Sequence, residues 1–133
     1  MKRRKKEGQP IKCIVYLSTE GDIDHVMQRE QRQLQYISQY ANGNHIEICK
    51  VQRRNIMGQM VVNKHFDAMV EMIRQGFADG ILIANMRFLA VDEEDACRKI
   101  GKVSKAGGAI YSVDDGKLSF VFKEVPGGKR ISK

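Results

Sequence analysis

The 133-residue chain contains no tryptophan, two prolines and three cysteines, and it lacks any long apolar run. No stretch approaches the roughly 20 apolar residues that a membrane-spanning helix needs. The basic start is not followed by the apolar segment of a secretory signal, so we expect a cytoplasmic protein that does not enter membranes. Cys13, Cys49 and Cys97 are odd in number and far apart, which predicts buried, reduced thiols. No pair of cysteines or histidines has zinc-ligand spacing, so neither a metal nor a cofactor is expected.

What the sequence does contain is positive charge at its two ends. The net charge is +7; residues 2–7 hold five bases and one acid, and residues 126–133 hold three bases. Residues 8–125 are balanced, with 15 bases and 15 acids. A basic arm binds phosphates without reading base sequence, although a charged terminus also occurs simply as a solvated tail. The predicted contacts for weak, non-specific DNA binding in the two tails are Lys2, Arg3, Arg4, Lys5, Lys6, Lys129 and Arg130.

Apolar periodicity predicts one α/β domain over residues 11–125, between a disordered basic arm at 1–10 and a basic C-terminal tail at 126–133. Strands are expected at 11–17, 45–51, 81–84, 109–113 and 118–123, helices at 24–41, 66–76 and 92–106, and a mobile loop at 52–61. Met27 is expected in the apolar stripe of the first helix. This order predicts three layers, a mostly parallel sheet of four to five strands with helices on both faces and an antiparallel edge strand.

Short motifs along residues 11–113 occur in an order that resembles the catalytic domain of serine recombinases, the resolvase and invertase family. Ser18 follows the first strand, where the family's nucleophile lies. Arg32 and Gln33 match the family's first helix, and Gly58 matches its glycine-containing loop after the second strand. The resemblance implies a resolvase-like fold with Ser18 as a nucleophile for DNA strand cleavage.

The departures from the family pattern concern its arginines. The family places one arginine two residues before the serine, where this chain has Tyr16, and another in the helix after the loop, where it has Asn63. In the family's Asp-Arg-Leu-Ser-Arg motif, Arg87 replaces the aspartate, and Phe88 and Val91 replace the arginines. Each preorganised donor to a transition-state oxyanion contributes about a hundredfold to a thousandfold in rate. The resemblance therefore predicts a degenerate, inactive domain.

The family's long dimerisation helix and separate DNA-binding domain are also not expected here. Pro126-Gly127-Gly128 interrupts any helix, and only five residues follow them. We therefore expect an accessory or regulatory protein associated with DNA and with site-specific recombination, which pairs with itself or with an active recombinase. Arg53 and Arg54, after the second strand, are expected to add to DNA binding.

Two other hypotheses remain open at this stage. In the first, Ser18 is an active nucleophile supported by relocated bases, for which the candidates are Arg53, Arg54, Lys64 and Arg87. In the second, the chain is a doubly wound module that binds a small ligand near Ser18 and Asn85, at the carboxyl ends of its strands. Ser18 also has a purely structural interpretation, as a loop residue at a helix start.

Overall fold

The computed structural model describes residues 9–18, 23–54, 59–120, 124–125 and 129–130. The strands are β1 (Ile11–Leu17), β2 (Ile46–Arg53), β3 (Gly80–Ile83), β4 (Ala109–Ser112), β5 (Gly116–Leu118), β6 (Glu124–Val125) and β7 (Lys129–Arg130). The helices are α1 (Ile23–Gly43), α2 (Gln59–Arg74) and α3 (Glu93–Ala106), with a short 3₁₀ helix at Met86–Phe88 after β3. The alternation of strands and helices confirms the predicted α/β class.

The first five strands form one mixed sheet in the order β2-β1-β3-β4-β5. The pairs of β1 with β2 and β3, and of β3 with β4, are parallel, whereas β4 pairs with β5 antiparallel across the turn at 113–115. Parallel neighbours bring the carboxyl ends of β1 to β4 to the same edge of the sheet. This carboxyl edge is where Ser18 lies.

Helices cover both faces of the sheet, which confirms the three-layer prediction. On one face the side chains of Cys13, Val15 and Leu17 pack with Ile37 and Ala41 of α1. Because side chains alternate along a strand, the residues between them point the other way. Ile14 and Tyr16 accordingly join the core under α2 and α3, which contains Val62, Phe66, Met69, Val70, Ile73, Ile100 and Val103.

A β-bulge in β2 modifies this alternation. Cys13 lies opposite Ile48 and Ile14 lies opposite Lys50, so Cys49 is an additional residue in β2. The bulge explains why Ile48 and Val51, three residues apart, both pack on the α1 side. It also turns Cys49 outward.

Several expectations about individual segments and side chains are wrong. Cys13 is buried, but Cys49 and Cys97 are exposed, because Cys49 lies in the bulge and Cys97 on the outer face of α3. Met27 is 81% exposed, since it lies beyond the part of α1 that the sheet covers. The segment predicted as a loop at 52–61 is shorter, because β2 continues to Arg53 and α2 begins at Gln59.

The C-terminal residues that the structure describes form a small separate ladder. Glu124 pairs with Arg130 and Val125 with Lys129, antiparallel. The predicted edge strand is represented only by Gly116–Leu118, and residues 121–123 lie outside the described part. Among the helices the structure describes, none is long and apolar enough to cross a bilayer.

Candidate functional site

Ser18 lies at the carboxyl end of β1 and is almost completely buried, with 1% of its surface exposed. The side-chain amide of Gln33, from α1, binds its backbone on both sides. Gln33 Oε1 accepts a hydrogen bond from the Ser18 N–H at 2.9 Å, and Gln33 Nε2 donates to the Ser18 carbonyl at 3.2 Å. The Ser18 hydroxyl is the one buried side-chain polar atom, among the described residues, without a hydrogen-bond partner. The backbone of Ser18 is therefore held by Gln33, while its hydroxyl is left without a described partner.

Tyr16, two residues before Ser18, is a core residue. It is fully buried under α2, and its hydroxyl lies 3.0 Å from Nδ1 of His65, whose ring packs edge-on against the tyrosine ring. Burial raises the pKa of Tyr16 to about 12, although the positive charge of Arg54 acts in the opposite direction. The position that the resemblance assigns to an arginine thus holds a neutral phenol.

A buried lysine occupies the space between α2, α3 and the 3₁₀ helix. Lys99 Nζ donates to Asn63 Oδ1 at 2.8 Å, to the Leu89 carbonyl at 2.6 Å and to Asp95 Oδ2 at 2.9 Å. An ammonium group has three protons, and these three bonds use all of them. Burial alone would raise the pKa of Asp95, but the hydrogen bonds from Lys99 and from the Val91 N–H outweigh it, so the pKa is lowered. The Lys99 ammonium group therefore stabilises the fold and has no proton left to donate to a substrate.

Of the remaining bases near the carboxyl edge, Arg53 and Arg87 have partners of their own, whereas the charge of Arg54 acts on Tyr16. Arg53 Nε lies 3.2 Å from Glu30 of α1, and Arg54 bonds through its backbone N–H to the Leu17 carbonyl. Arg87 stacks over the Phe88 ring at 4.9 Å. Arg32 is exposed on α1. The structure therefore brings Gln33 to Ser18 but does not bring the side chain of Arg32 to it.

A polar cluster that the sequence reasoning missed lies at the ends of β3 and β4. Asp114 accepts hydrogen bonds from the Tyr36 hydroxyl of α1 and from Asn85 Nδ2, the latter at 2.9 Å. The bond from Tyr36, followed by that from Asn85, lowers the pKa of Asp114. Asn85 Oδ1 also caps the 3₁₀ helix by accepting from the Arg87 N–H. The only sequence signal was that Asn85 and Asp114 each follow a strand.

Other predicted site residues fall outside the side chains that the structure describes. The arm residues Lys2, Arg3, Arg4, Lys5 and Lys6, and also Gly58, lie outside the described residues. Lys129 and Arg130 form the two-residue strand β7. Within the described part of the chain, no cluster of three or more histidine, cysteine or acidic side chains has metal-binding geometry.

The chemistry available at Ser18 follows from these contacts. Serine attack on a phosphodiester adds charge to the nonbridging oxygens, and arginine forks stabilise that charge best. Gln33 binds the backbone of Ser18, Tyr16 is paired with His65, and Lys99 is saturated by protein partners, which leaves Arg54 as the nearby cation. The described contacts hold the backbone of Ser18 in place and include none to its hydroxyl.

No family model matches the sequence, and no curated protein sequence matches it either. Solved structures do match. A resolvase family site-specific recombinase from Streptococcus pneumoniae superimposes with a TM-score of 0.65 and 19% identity, over 80% of this chain and 74% of that one. The C-terminal catalytic domain of ISC1926 TnpA, an IS607-like serine recombinase, superimposes with a TM-score of 0.61 and 18% identity, over 77% of this chain and 70% of that one.

The N-terminal catalytic domain of TP901-1 integrase gives a TM-score of 0.58 and 15% identity, over 79% of this chain and 78% of that domain. Similarity at such identities defines the fold. The chain has the fold of a serine recombinase catalytic domain.

Proposed function

We propose that this chain is a catalytically inactive, serine-recombinase-like protein that associates with DNA and assists or regulates site-specific recombination. The observation that carries the proposal is the state of Ser18, whose hydroxyl is buried and has no partner among the described residues. A nucleophile needs a base or a cation within hydrogen-bond reach and a path to the phosphodiester.

The residues around Ser18 support the absence of cleavage. Tyr16 replaces a charge with a neutral ring and is fully buried. Asn63 accepts from Lys99, so both groups are engaged within the protein. The loss of one preorganised donor costs about a hundredfold to a thousandfold in rate, and several such losses together remove measurable turnover.

DNA association in this proposal is electrostatic and weak. The basic arm and tail, with Arg53 and Arg54 at the end of β2, neutralise phosphates without reading bases, which gives a Kd of about 10⁻⁴ to 10⁻⁶ M at physiological salt. The other partners are a second copy of the chain or an active recombinase of similar fold. The protein would then act by binding within a recombination complex and not by cutting DNA.

Salt-dependent binding of the full chain to random duplex DNA tests the DNA part of the proposal. We expect the logarithm of the binding constant to fall linearly with the logarithm of salt concentration, with a slope of about −0.9 per phosphate neutralised. The arm is tested by replacing its five bases, Lys2, Arg3, Arg4, Lys5 and Lys6, with glutamine. This change should reduce both the affinity and the slope.

The matched control removes the same charge from the domain surface, by replacing Lys50, Lys64, Arg98, Lys102 and Lys117, which are all exposed, with glutamine. A smaller loss in the control than in the arm variant supports binding through the arm. Equal losses of affinity in the two variants would indicate that binding depends on net charge alone. No binding at low salt would remove DNA as a direct ligand.

An active strand-transfer enzyme is the alternative, and one observation favours it. The charge of Arg54 acts on the pKa of Tyr16, which places a guanidinium near the end of β1. Incubation with a nicked suicide substrate would then trap a covalent serine–DNA adduct that is absent in Ser18→Ala. We expect no adduct from either protein, and an adduct formed only by the wild type would refute the inactive assignment.

A further inference from the structure

A cavity lies at the amino edge of the sheet, where β1, β3 and β4 begin, which is the edge opposite to Ser18. Its volume is about 320 Å³, and it opens to solvent. It lies outside the polar clusters described above, and neither the fold comparison nor the DNA-binding proposal assigns it a role. The side chains in its wall include those of Ile11, Asp79, Tyr111, Lys117, Ser119 and Phe120.

Tyr111 of β4 is a buried polar residue in the wall of this amino-edge cavity. Only 8% of it is exposed, and no hydrogen bond engages its hydroxyl within the described part of the chain. A Cβ atom added at Gly80 would lie 3.0 Å from its ring, so the ring is held against the backbone of β3. Burial raises the pKa of Tyr111 to about 12, with further contributions from Cys13 and Asp79. At neutral pH the phenol is therefore a fixed, uncharged donor that no described acceptor uses.

Charged groups of both signs line the cavity together with Tyr111. Lys117 lies directly opposite Tyr111 in the β4–β5 ladder, so the two side chains point to the same face of the sheet. Lys117 and Ser119 are exposed and have no side-chain partner among the described residues. Asp79 Oδ2 accepts a hydrogen bond from the Lys12 N–H at 2.8 Å, and a carboxylate has further lone pairs with which to accept other bonds. The cavity thus combines a carboxylate, an ammonium group and two unengaged hydroxyls.

We propose that the amino-edge cavity binds a free α-amino acid. The carboxylate of the ligand accepts hydrogen bonds from Lys117 and from the hydroxyls of Tyr111 and Ser119, and its ammonium group donates to Asp79. Cavities for drug-sized ligands have volumes of about 300–1,000 Å³, so this one suits a smaller molecule. Because Tyr111 is already held in place, little conformational freedom is lost when its hydroxyl bonds to the ligand.

The mixed charge of the cavity favours a zwitterion over other small ligands. An anion without a cationic group would be repelled by the Asp79 carboxylate, and a simple cation would be repelled by the Lys117 ammonium group. A purely apolar ligand would bury both charges without giving either a partner. A zwitterion pairs both charges, while Ile11 and Phe120, which are partly buried, contact its hydrocarbon part.

Isothermal titration calorimetry of the full chain without DNA, against each of the common α-amino acids, tests this proposal. We expect saturable binding of at least one of them. The N-acetyl derivative of that amino acid lacks the ammonium group, and its amide lacks the carboxylate. Each derivative should bind about tenfold or more weakly than the parent, because one charge of the cavity then loses its partner.

Two variants test the residues that contact the ligand carboxylate. Lys117→Gln removes the ammonium group, and Tyr111→Phe removes the hydroxyl while keeping the ring. Each should weaken binding by about tenfold, with an unchanged circular dichroism spectrum. Lys50→Gln is the matched control, because Lys50 is an exposed lysine on β2, at the other side of the sheet. It removes the same charge as Lys117→Gln and should bind the ligand as the wild type does.

Three results would overturn the proposal. They are a wild type that binds no amino acid, a derivative that binds as well as its parent, and a Lys117→Gln or Tyr111→Phe variant that binds as well as Lys50→Gln. The comparison of ligand derivatives uses the unaltered protein, so it does not depend on the folding of any variant. Because no DNA is present, a failure here leaves the DNA-binding proposal intact, and the absence of DNA binding would leave the amino acid site intact.

Discussion

The amide of Gln33 in α1 and the backbone of Ser18 at the end of β1 form a two-point hydrogen-bonded contact, with distances of 2.9 and 3.2 Å. The contact joins residues 15 positions apart and ties the first helix to the carboxyl edge of the sheet.

Gln33→Met removes both bonds while keeping a side chain of similar length. The buried N–H and carbonyl of Ser18 are then left unpaired, so we expect the free energy of unfolding to fall by about 1–3 kcal/mol. Urea unfolding followed by circular dichroism measures the change. Gln28→Met, at an exposed position of the same helix, should stay within about 0.5 kcal/mol of the wild type. Similar losses in both variants would contradict a specific role for the contact.

Lys99→Met should be among the most destabilising single substitutions in the chain. It leaves the Asp95 carboxylate buried without its closest cation and leaves the Leu89 carbonyl unpaired. Breaking a buried ion pair from one side costs about 3–5 kcal/mol. Lys102→Met, an exposed lysine on α3, is the matched control and should change little.

The double variant Lys99→Met, Asp95→Leu removes both charges at once. It should regain part of the stability lost in Lys99→Met, because no unpaired carboxylate remains. A double variant less stable than Lys99→Met would indicate that Asp95 acts mainly through its bond to the Val91 N–H.

The Tyr36–Asp114 bond predicts that stability depends on pH in two ranges: an acid limb, where stability is lost as pH falls, and an alkaline limb, where it is lost as pH rises. The pKa of Asp114 is lowered in the folded state, so its contribution is present above the unfolded pKa of about 4 and is lost as pH falls through the folded value. The hydrogen bond to Asp114 raises the pKa of Tyr36, so its contribution is present below about pH 10 and is lost as pH rises through the folded value.

Tyr36→Phe should reduce both the alkaline and the acid limb, as measured by unfolding midpoints across pH. Tyr40→Phe, one turn further along α1, is the control and should keep both limbs. Burial also raises the pKa of Tyr16, so Tyr16 keeps an alkaline limb of its own in all three proteins. Asp95 contributes an acid limb of its own in all three proteins, so the difference between Tyr36→Phe and the wild type isolates the pair. Identical profiles for Tyr36→Phe and the wild type would exclude the bond in solution.

Gly80 is the first residue of β3 and lies opposite Ala109 of β4. A Cβ atom at this position would lie 2.4 Å from the Ala109 carbonyl oxygen and 3.0 Å from the Tyr111 ring. Gly80→Ala should therefore destabilise the fold by about 1–3 kcal/mol through overpacking, measured by thermal or urea unfolding. Gly43→Ala is the contrasting case, because nothing lies within 4 Å there. It should stabilise α1 by about 0.5–1 kcal/mol, and a loss of stability in Gly43→Ala would contradict the helical end.

The fold could be predicted from the sequence because its main signals are local. The β-branched run at Ile11–Leu17 and the helical spacing of Phe66, Met69, Val70 and Ile73 each identify an element without knowledge of the rest. The order of the elements then leaves few topologies. The bulge at Cys49 could not be predicted, because it depends on the register between β1 and β2, which no single strand encodes.

The candidate site was less predictable than the fold. The position of Ser18 after a strand was visible in the sequence, but its burial depends on long-range packing that no local pattern encodes. Nothing local in the sequence joins Gln33 to Ser18, or Tyr36 to Asp114, because these pairs are 15 and 78 residues apart. The three hydrogen bonds of Lys99 likewise depend on how α2 and α3 pack against each other.

The burial of Tyr16 has an evolutionary consequence. Its ring fills the core below α2, and its hydroxyl is bonded to His65. A Tyr16→Arg change would force a guanidinium into a space already filled by packed side chains, at a cost that exceeds the stability margin of many domains. A lineage with this tyrosine would gain a cation at this position only after several compensating changes that enlarge and rehydrate the space.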